Sequence, residues 1–205
     1  MNNLYIEEYT NNLERVLSTS YITKYSTSAL EKLISYSSYF QDIEEDAAYF
    51  APLVSDVSLI KTLFPFKKIE LLAVPTYKEC LWAAEAYLRI QGDTGLTFEC
   101  IFLYIPIKKM YEYYPIYHEM DFSHIIKEFN RLFKEKSVLA ILIERNPYSL
   151  KSLAKDYGVS YDMLCSIKQR RRDIKKASAE IVINLAHLLD VRIETLAETS
   201  FKIKI

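Results

Sequence analysis

Apolar residues recur at helical spacing along most of the chain. Near the start, Leu4, Tyr9, Leu13, Val16 and Leu17 mark one face of a helix. A second helix is expected to carry Leu30, Leu33, Ile34 and Tyr39, with Thr27 or Ser28 as its N-cap. Further helical segments are expected over 46–53 and over 57–64, the latter ended by Pro65. Residues 77–90 are apolar nearly all round (Leu81, Trp82, Ala83, Ala84, Ala86, Tyr87, Leu88), which predicts a buried helix. Ser123 opens a helix bearing Ile125, Ile126, Phe129, Leu132 and Phe133, and the pattern can run on through 138–143.

Two segments leave that period. Residues 69–74 form a short apolar run ending at Pro75, which reads as a lone strand. After the turn Gly92-Asp93-Thr94-Gly95, residues 96–105 suit a strand by their β-branched and aromatic content, and equally suit a helix. If both are strands, the helix between them makes a βαβ unit. The expected fold class is mainly α, with an N-terminal domain that is mostly helical or α+β with a short sheet. Residues 111–117 are an aromatic cluster around Pro115.

The clearest pattern lies at 149–196. Asn146-Pro147 stops a preceding helix, because proline cannot join the hydrogen-bond ladder and restricts the residue before it. Ser149 is a natural N-cap for a helix over 150–157 whose Leu150, Leu153 and Ala154 form one apolar stripe. Gly158 follows, where a helix turns through positive φ. Val159 can plug the corner, and Ser160 caps a second helix over 161–169 with Asp162 in its first turn. Along it Leu164 and Ile167 point one way, while Tyr161, Asp162, Cys165, Ser166 and Gln169 point the other. A third helix over 177–189 has Ile181, Val182, Leu185, Leu188 and Leu189 on its core face, and Val191 and Leu196 finish the unit. Two short helices across a glycine turn can set one helix into a DNA major groove.

Charge sharpens this picture. The whole chain carries a net charge of −1, yet from Pro147 onward it holds eleven Lys/Arg against seven Asp/Glu, leaving fifteen against twenty before it. Six cations (Lys168, Arg170, Arg171, Arg172, Lys175, Lys176) crowd the window 168–176 against one acid, Asp173. Such a loop can hold phosphates on either side of a groove, adding affinity without sequence information.

Residues 137–205 resemble the lambda-repressor-like, Xre-type helix-turn-helix family of bacterial and phage regulators. The likeness rests on Leu153, Ala154, Lys155, Gly158, Val159 and Ser160, on the pair Leu164 and Ile167, and on the closing Leu185, Ala186, Leu188, Leu189, Val191 and Leu196. It covers about sixty residues, including a first helix near 137–145. It implies base contacts from Tyr161, Asp162, Ser166 and the outward-facing Gln169. Phosphate contacts would come from Ser149, Lys151, Lys168, Arg170, Arg171, Arg172, Lys175 and Lys176. The family often has a glycine just after the recognition helix, where this chain has Arg170-Arg171.

Other chemistries find little footing. Only three glycines occur, against phosphate-cradling loops. The spacing H-E-x-x-x-x-H around His118 and His124, with Glu119 and Asp121, is not the H-E-x-x-H that sets two imidazoles one helical turn apart. Glu44, Glu45 and Asp46 read as a helix start, and His187 as structural. Cys80, Cys100 and Cys165 are odd in number without CxxC spacing, and the polar start MNNLYIEEYT reads as no signal peptide, so the expected location is cytoplasmic. No apolar run approaches the ~20 residues that span a bilayer. No enzyme, metal or cofactor is expected.

The expected organisation is an N-terminal dimerisation, effector or partner-binding domain at 1–122, a connecting helix at 123–136 and a DNA-binding domain at 137–205. The expected partners are double-stranded DNA, a second copy of the chain, and a protein or small-molecule effector at the N-terminal domain. A second expectation is a phage or mobile-element accessory protein whose acidic, tyrosine-rich N-terminal domain binds another protein, with DNA contact secondary.

Overall fold

The structure is a computed structural model that describes residues 3–22, 26–37, 40–41, 75–145, 149–156 and 158–198. Among these the chain is mainly helical, with eleven α-helices, one 3-10 turn and no strand. The expected helices at 46–53 and 57–64, the run at 69–74, the acids 44–46, Tyr39, Asn146, Pro147 and Tyr157 lie outside the described residues.

α1 (Asn3–Ile22) packs along α3 (Tyr77–Thr94), and α2 (Thr27–Tyr36) also touches α1. Ser26 caps α2 by accepting a hydrogen bond from Ala29 N–H at 3.1 Å, one or two positions before the expected Thr27 or Ser28. α3 is the buried helix foreseen from its composition, and it runs four residues further. Thr76 and Glu79 form a reciprocal capping box at its start, and Gly95 at φ +68° turns the chain off its end. Tyr87, fully buried, donates its hydroxyl proton to the Ile105 carbonyl at 2.9 Å.

The segment left open between strand and helix is helical: α4 spans Phe98–Tyr104, so no βαβ unit forms across α3. Thr97 decides the matter locally, its hydroxyl accepting from Cys100 N–H at 3.1 Å as an N-cap. Phe98, Glu99, Cys100, Ile101, Phe102 and Tyr104 are all buried, because α4 is wrapped by α2, α3 and three later helices, at Ser123–Glu135, Val138–Arg145 and Ile193–Leu196. α5 (Ile107–Tyr117) contains Pro115, and α6 (Ser123–Glu135) presents Ile125 and Phe129 to the core. α6 does not run on into the next apolar stretch. Lys136 takes an extended conformation and α7 (Val138–Arg145) begins anew.

The chain then forms α8 (Leu150–Asp156), α9 (Tyr161–Lys168), a 3-10 turn (Ile174–Lys176), α10 (Ala179–Leu189) and α11 (Ile193–Leu196). The third helix of the motif region thus starts two residues later than expected, behind the 3-10 turn. One continuous cluster of buried residues extends from Tyr9 to Ala197, so the C-terminal helices share a core with the body through α4. No described helix is long and apolar enough to cross a membrane.

Candidate nucleic-acid interface

Capping side chains set the path of α7 to α9. Ser137 Oγ accepts from Ala140 N–H at 3.1 Å and donates to the Lys168 carbonyl at 2.7 Å, tying the start of α7 to the end of α9. Ser149 Oγ accepts from Ser152 N–H at 3.1 Å to open α8. α8 closes at Gly158 with φ +61°, and Val159 N–H returns to the Ala154 carbonyl at 3.0 Å. A Cβ added at Gly158 would meet nothing within 4 Å, so glycine serves the backbone angle there and not a close approach. Val159 is buried in the corner, and Ser160 caps α9 by accepting from Met163 N–H. Leu164 and Ile167 are buried beneath α9.

α9 ends without a glycine. Arg170 itself adopts the left-handed conformation, φ +55°. Its N–H reaches the Ile167 carbonyl at 2.9 Å and Arg171 N–H the Ser166 carbonyl at 2.8 Å, the paired bonds of a Schellman stop. The helix therefore ends at Lys168 rather than running on. The Arg170 side chain stays at the surface but folds back onto the body: its guanidinium lies 4.4 Å from the Phe133 ring centroid, 3.0 Å from Glu198 Oε2 and 3.3 Å from the Tyr104 hydroxyl. In the free chain Arg170, expected from the sequence to meet phosphate, directs its donors to protein groups. Burial holds the Tyr104 hydroxyl far above its ordinary pKa, so it stays protonated and donates to the Lys136 carbonyl at 2.8 Å.

The other residues singled out from sequence lie as follows. Tyr161 is 50% exposed, Asp162 and Gln169 are exposed, and Ser166 is half-buried. A hydrogen bond with the Cys165 thiol, one turn on, raises the Tyr161 pKa. Lys151, Arg171, Arg172, Lys175 and Lys176 are exposed, and no described carboxylate pairs with any of them. Lys168 is half-buried near Glu144, whose carboxylate pairs with Lys136 at 2.8 Å. Asp173, the lone acid of the loop, accepts from Lys175 N–H at 3.0 Å and so starts the 3-10 turn. Ile174 is the loop's buried plug. Behind the loop a cleft of about 330 Å³ opens among Phe133, Ser137, Arg172, Lys175, Leu196 and Glu198.

The chain matches no family model, no curated relative and no solved structure.

Several residues that fix this face carry no signal in the sequence pattern. Glu198 accepts from Val138 N–H at 2.9 Å with Oε1 while Oε2 holds Arg170, so one carboxylate caps α7 and pins the loop. Glu99 on α4 accepts from Arg192 N–H at 2.9 Å and from the Thr195 and Tyr36 hydroxyls. Burial pushes the Glu99 carboxyl above its ordinary pKa, and those hydrogen bonds partly offset the shift. Thr97 and Thr195, both fully buried, meet at 2.7 Å. Arg145 on α7 donates to the Leu103 carbonyl at 2.7 Å. The His118 ring bonds to the Tyr114 carbonyl at 2.9 Å and stacks on the Tyr114 ring, while Asp121 accepts from Ser123 N–H at the start of α6.

Proposed function

We propose that the chain is a sequence-specific, duplex DNA-binding regulator of the bacterial or phage type. In this reading residues 137–198 act as a lambda-repressor-like helix-turn-helix unit. α9 enters the major groove with Tyr161, Asp162, Ser166 and Gln169 toward the bases. Arg171, Arg172, Lys175 and Lys176, with Ser149, Lys151 and Lys168, meet the phosphates. Two copies would act together on a two-fold-related site.

The observation that carries the reading is the exposed cation cluster after α9. Arg171, Arg172, Lys175 and Lys176 are exposed and pair with no described carboxylate, and the loop holds a single acid, Asp173, on a chain whose net charge is −1. Four phosphate contacts give a log–log salt slope of about −3.6, hence a loss of roughly 150-fold in affinity between 50 and 200 mM salt.

Genomic fragments captured by the full chain in low salt, then sequenced, test the proposal against a variant with all four loop cations changed to alanine. The expected result is a shared sequence element captured by the native chain and lost by the variant. Absence of any duplex retention, or equal retention by the variant, removes the reading. The alternative of a partner-binding accessory protein draws on Ile116 and Met120, 55% and 47% exposed at the end of the α5 region. One stoichiometric protein partner, with only salt-fragile and non-selective DNA retention, would favour it.

A further inference from the structure

Arg170 stands at a backbone angle that L-residues rarely adopt, at the junction between α9 and the basic loop. A glycine would hold that angle with less strain, so the side chain must offset the difference. What it touches belongs to three distant parts of the chain: Phe133 from α6, Tyr104 from α4, and Glu198 beyond α11. Tyr104 is tied to the Lys136 carbonyl and Glu198 to the α7 N-terminus, so each anchor is itself held. Ser137 fixes the adjacent Lys168 carbonyl from the same side.

We infer that Arg170 is a positioning residue, locking the basic loop to the N-terminal helical body so that the body sets how well Arg171, Arg172, Lys175 and Lys176 meet a phosphate backbone. The inference rests on the DNA-binding reading above. The loop has one buried apolar residue, Ile174, and is otherwise exposed, so it has little packing of its own to hold it. A loop fixed before binding does not lose that freedom on binding, which is the gain from preorganisation. The partners of Arg170 also explain why lysine would not serve. Only a planar, forked cation can stack on Phe133 while donating to both an acid and a hydroxyl.

Glu198→Gln separates this role from simple electrostatics by sign. The amide oxygen can still cap Val138 N–H, while the charge that holds Arg170 is gone. If Glu198 were merely an acid beside DNA, neutralising it would strengthen binding; the lock requires the opposite. In the full chain, Glu198→Gln and Phe133→Leu should each weaken duplex binding about fivefold. Each should also speed amide hydrogen exchange over 171–176 by about tenfold at temperatures well below unfolding. Tighter binding by Glu198→Gln, or a salt slope steeper by about one as a freed Arg170 reaches phosphate, overturns the inference. Unchanged exchange in both variants overturns it as well, whether or not the chain binds duplex. A native chain without duplex affinity whose variants still exchange faster defeats the DNA reading alone and leaves the lock between body and loop in place.

Discussion

Replacing Thr195 with valine is the sharpest test of how the C-terminal helices are joined to the body. Thr195 and Thr97 are both fully buried with their hydroxyl oxygens 2.7 Å apart, one on α11 and the other capping α4. The Thr97 oxygen also accepts from Cys100 N–H, so the pair belongs to the start of α4. Valine at 195 leaves the buried Thr97 hydroxyl without its partner across the two segments. An unmet buried polar group costs about 1–3 kcal/mol. At about 2–4 °C per kcal/mol for a chain of this size, the midpoint should fall by roughly 4–8 °C for a mid-range cost of about 2 kcal/mol. Thr97→Val also removes an N-cap and should cost about 1 kcal/mol more. The double variant, losing one shared bond only once, should be less destabilised than the sum of the singles by about 1 kcal/mol. Calorimetry reads all three. A midpoint for Thr195→Val within experimental scatter of the native value would refute the shared-core argument. So would a separate transition in which the C-terminal helices melt alone.

Glu99 predicts a pH dependence of definite sign. Its native pKa is raised by burial, so its stabilising contribution is complete below the unfolded value of about 4.3 and is lost as pH rises through the native value. Urea titrations of Glu99→Gln should therefore lose less stability than the native chain across that window, and an equal loss in both would reject the assignment. At Gly158 the added Cβ has open space, so Gly158→Ala should cost only the left-handed backbone strain, about 1 kcal/mol, and Gly158→Asn less; a larger loss would mean a packing role. Under the DNA reading, Arg171→Ala and Lys175→Ala should each weaken binding on every sequence and flatten the salt slope by about one. Ser166→Ala should instead change which sequence is preferred, as a selection from randomised duplexes would reveal.

The parts of the fold legible in the sequence are those where one residue type answers one geometric demand. Gly158 after an apolar stripe announced a left-handed stop, and Ser149 and Ser160 announced helix starts, because short hydroxyl side chains satisfy exposed backbone donors. The buried α3 was visible from its apolar circumference. The same property hid α4: with nearly every side buried, it shows no period that could tell helix from strand. Ser26, Thr27 and Ser28 are all competent caps, so the pattern alone does not tell which of them starts α2. The break at Ser137 was masked by apolar residues on both sides of it. Arg170 was the least legible residue. In a run of cations nothing local distinguishes the one that folds back onto the body, and its hydroxyl partner Tyr104 lies 66 positions away.

The attachments between body and C-terminal helices bear on how a paired site would be read. They are spread over separate points: Arg170 on Tyr104 and Phe133, Arg192 on Glu99 and the Ser35 carbonyl, Arg145 on the Leu103 carbonyl, and Thr195 on Thr97. A contact at one point permits rotation, whereas contacts distributed around α4 oppose it in every direction. The α9 face is thus fixed relative to the body rather than tethered to it. For a dimer formed through the body, the two α9 helices would stand at a single separation, and half-sites would be tolerated only at the matching spacing of about 34–36 Å or a whole helical turn from it. A body that instead binds a protein partner would use the same rigidity differently. Strain imposed on α4 or α6 would reach the basic loop through Tyr104, Phe133 and Arg170, so either use of the body converges on the same three side chains.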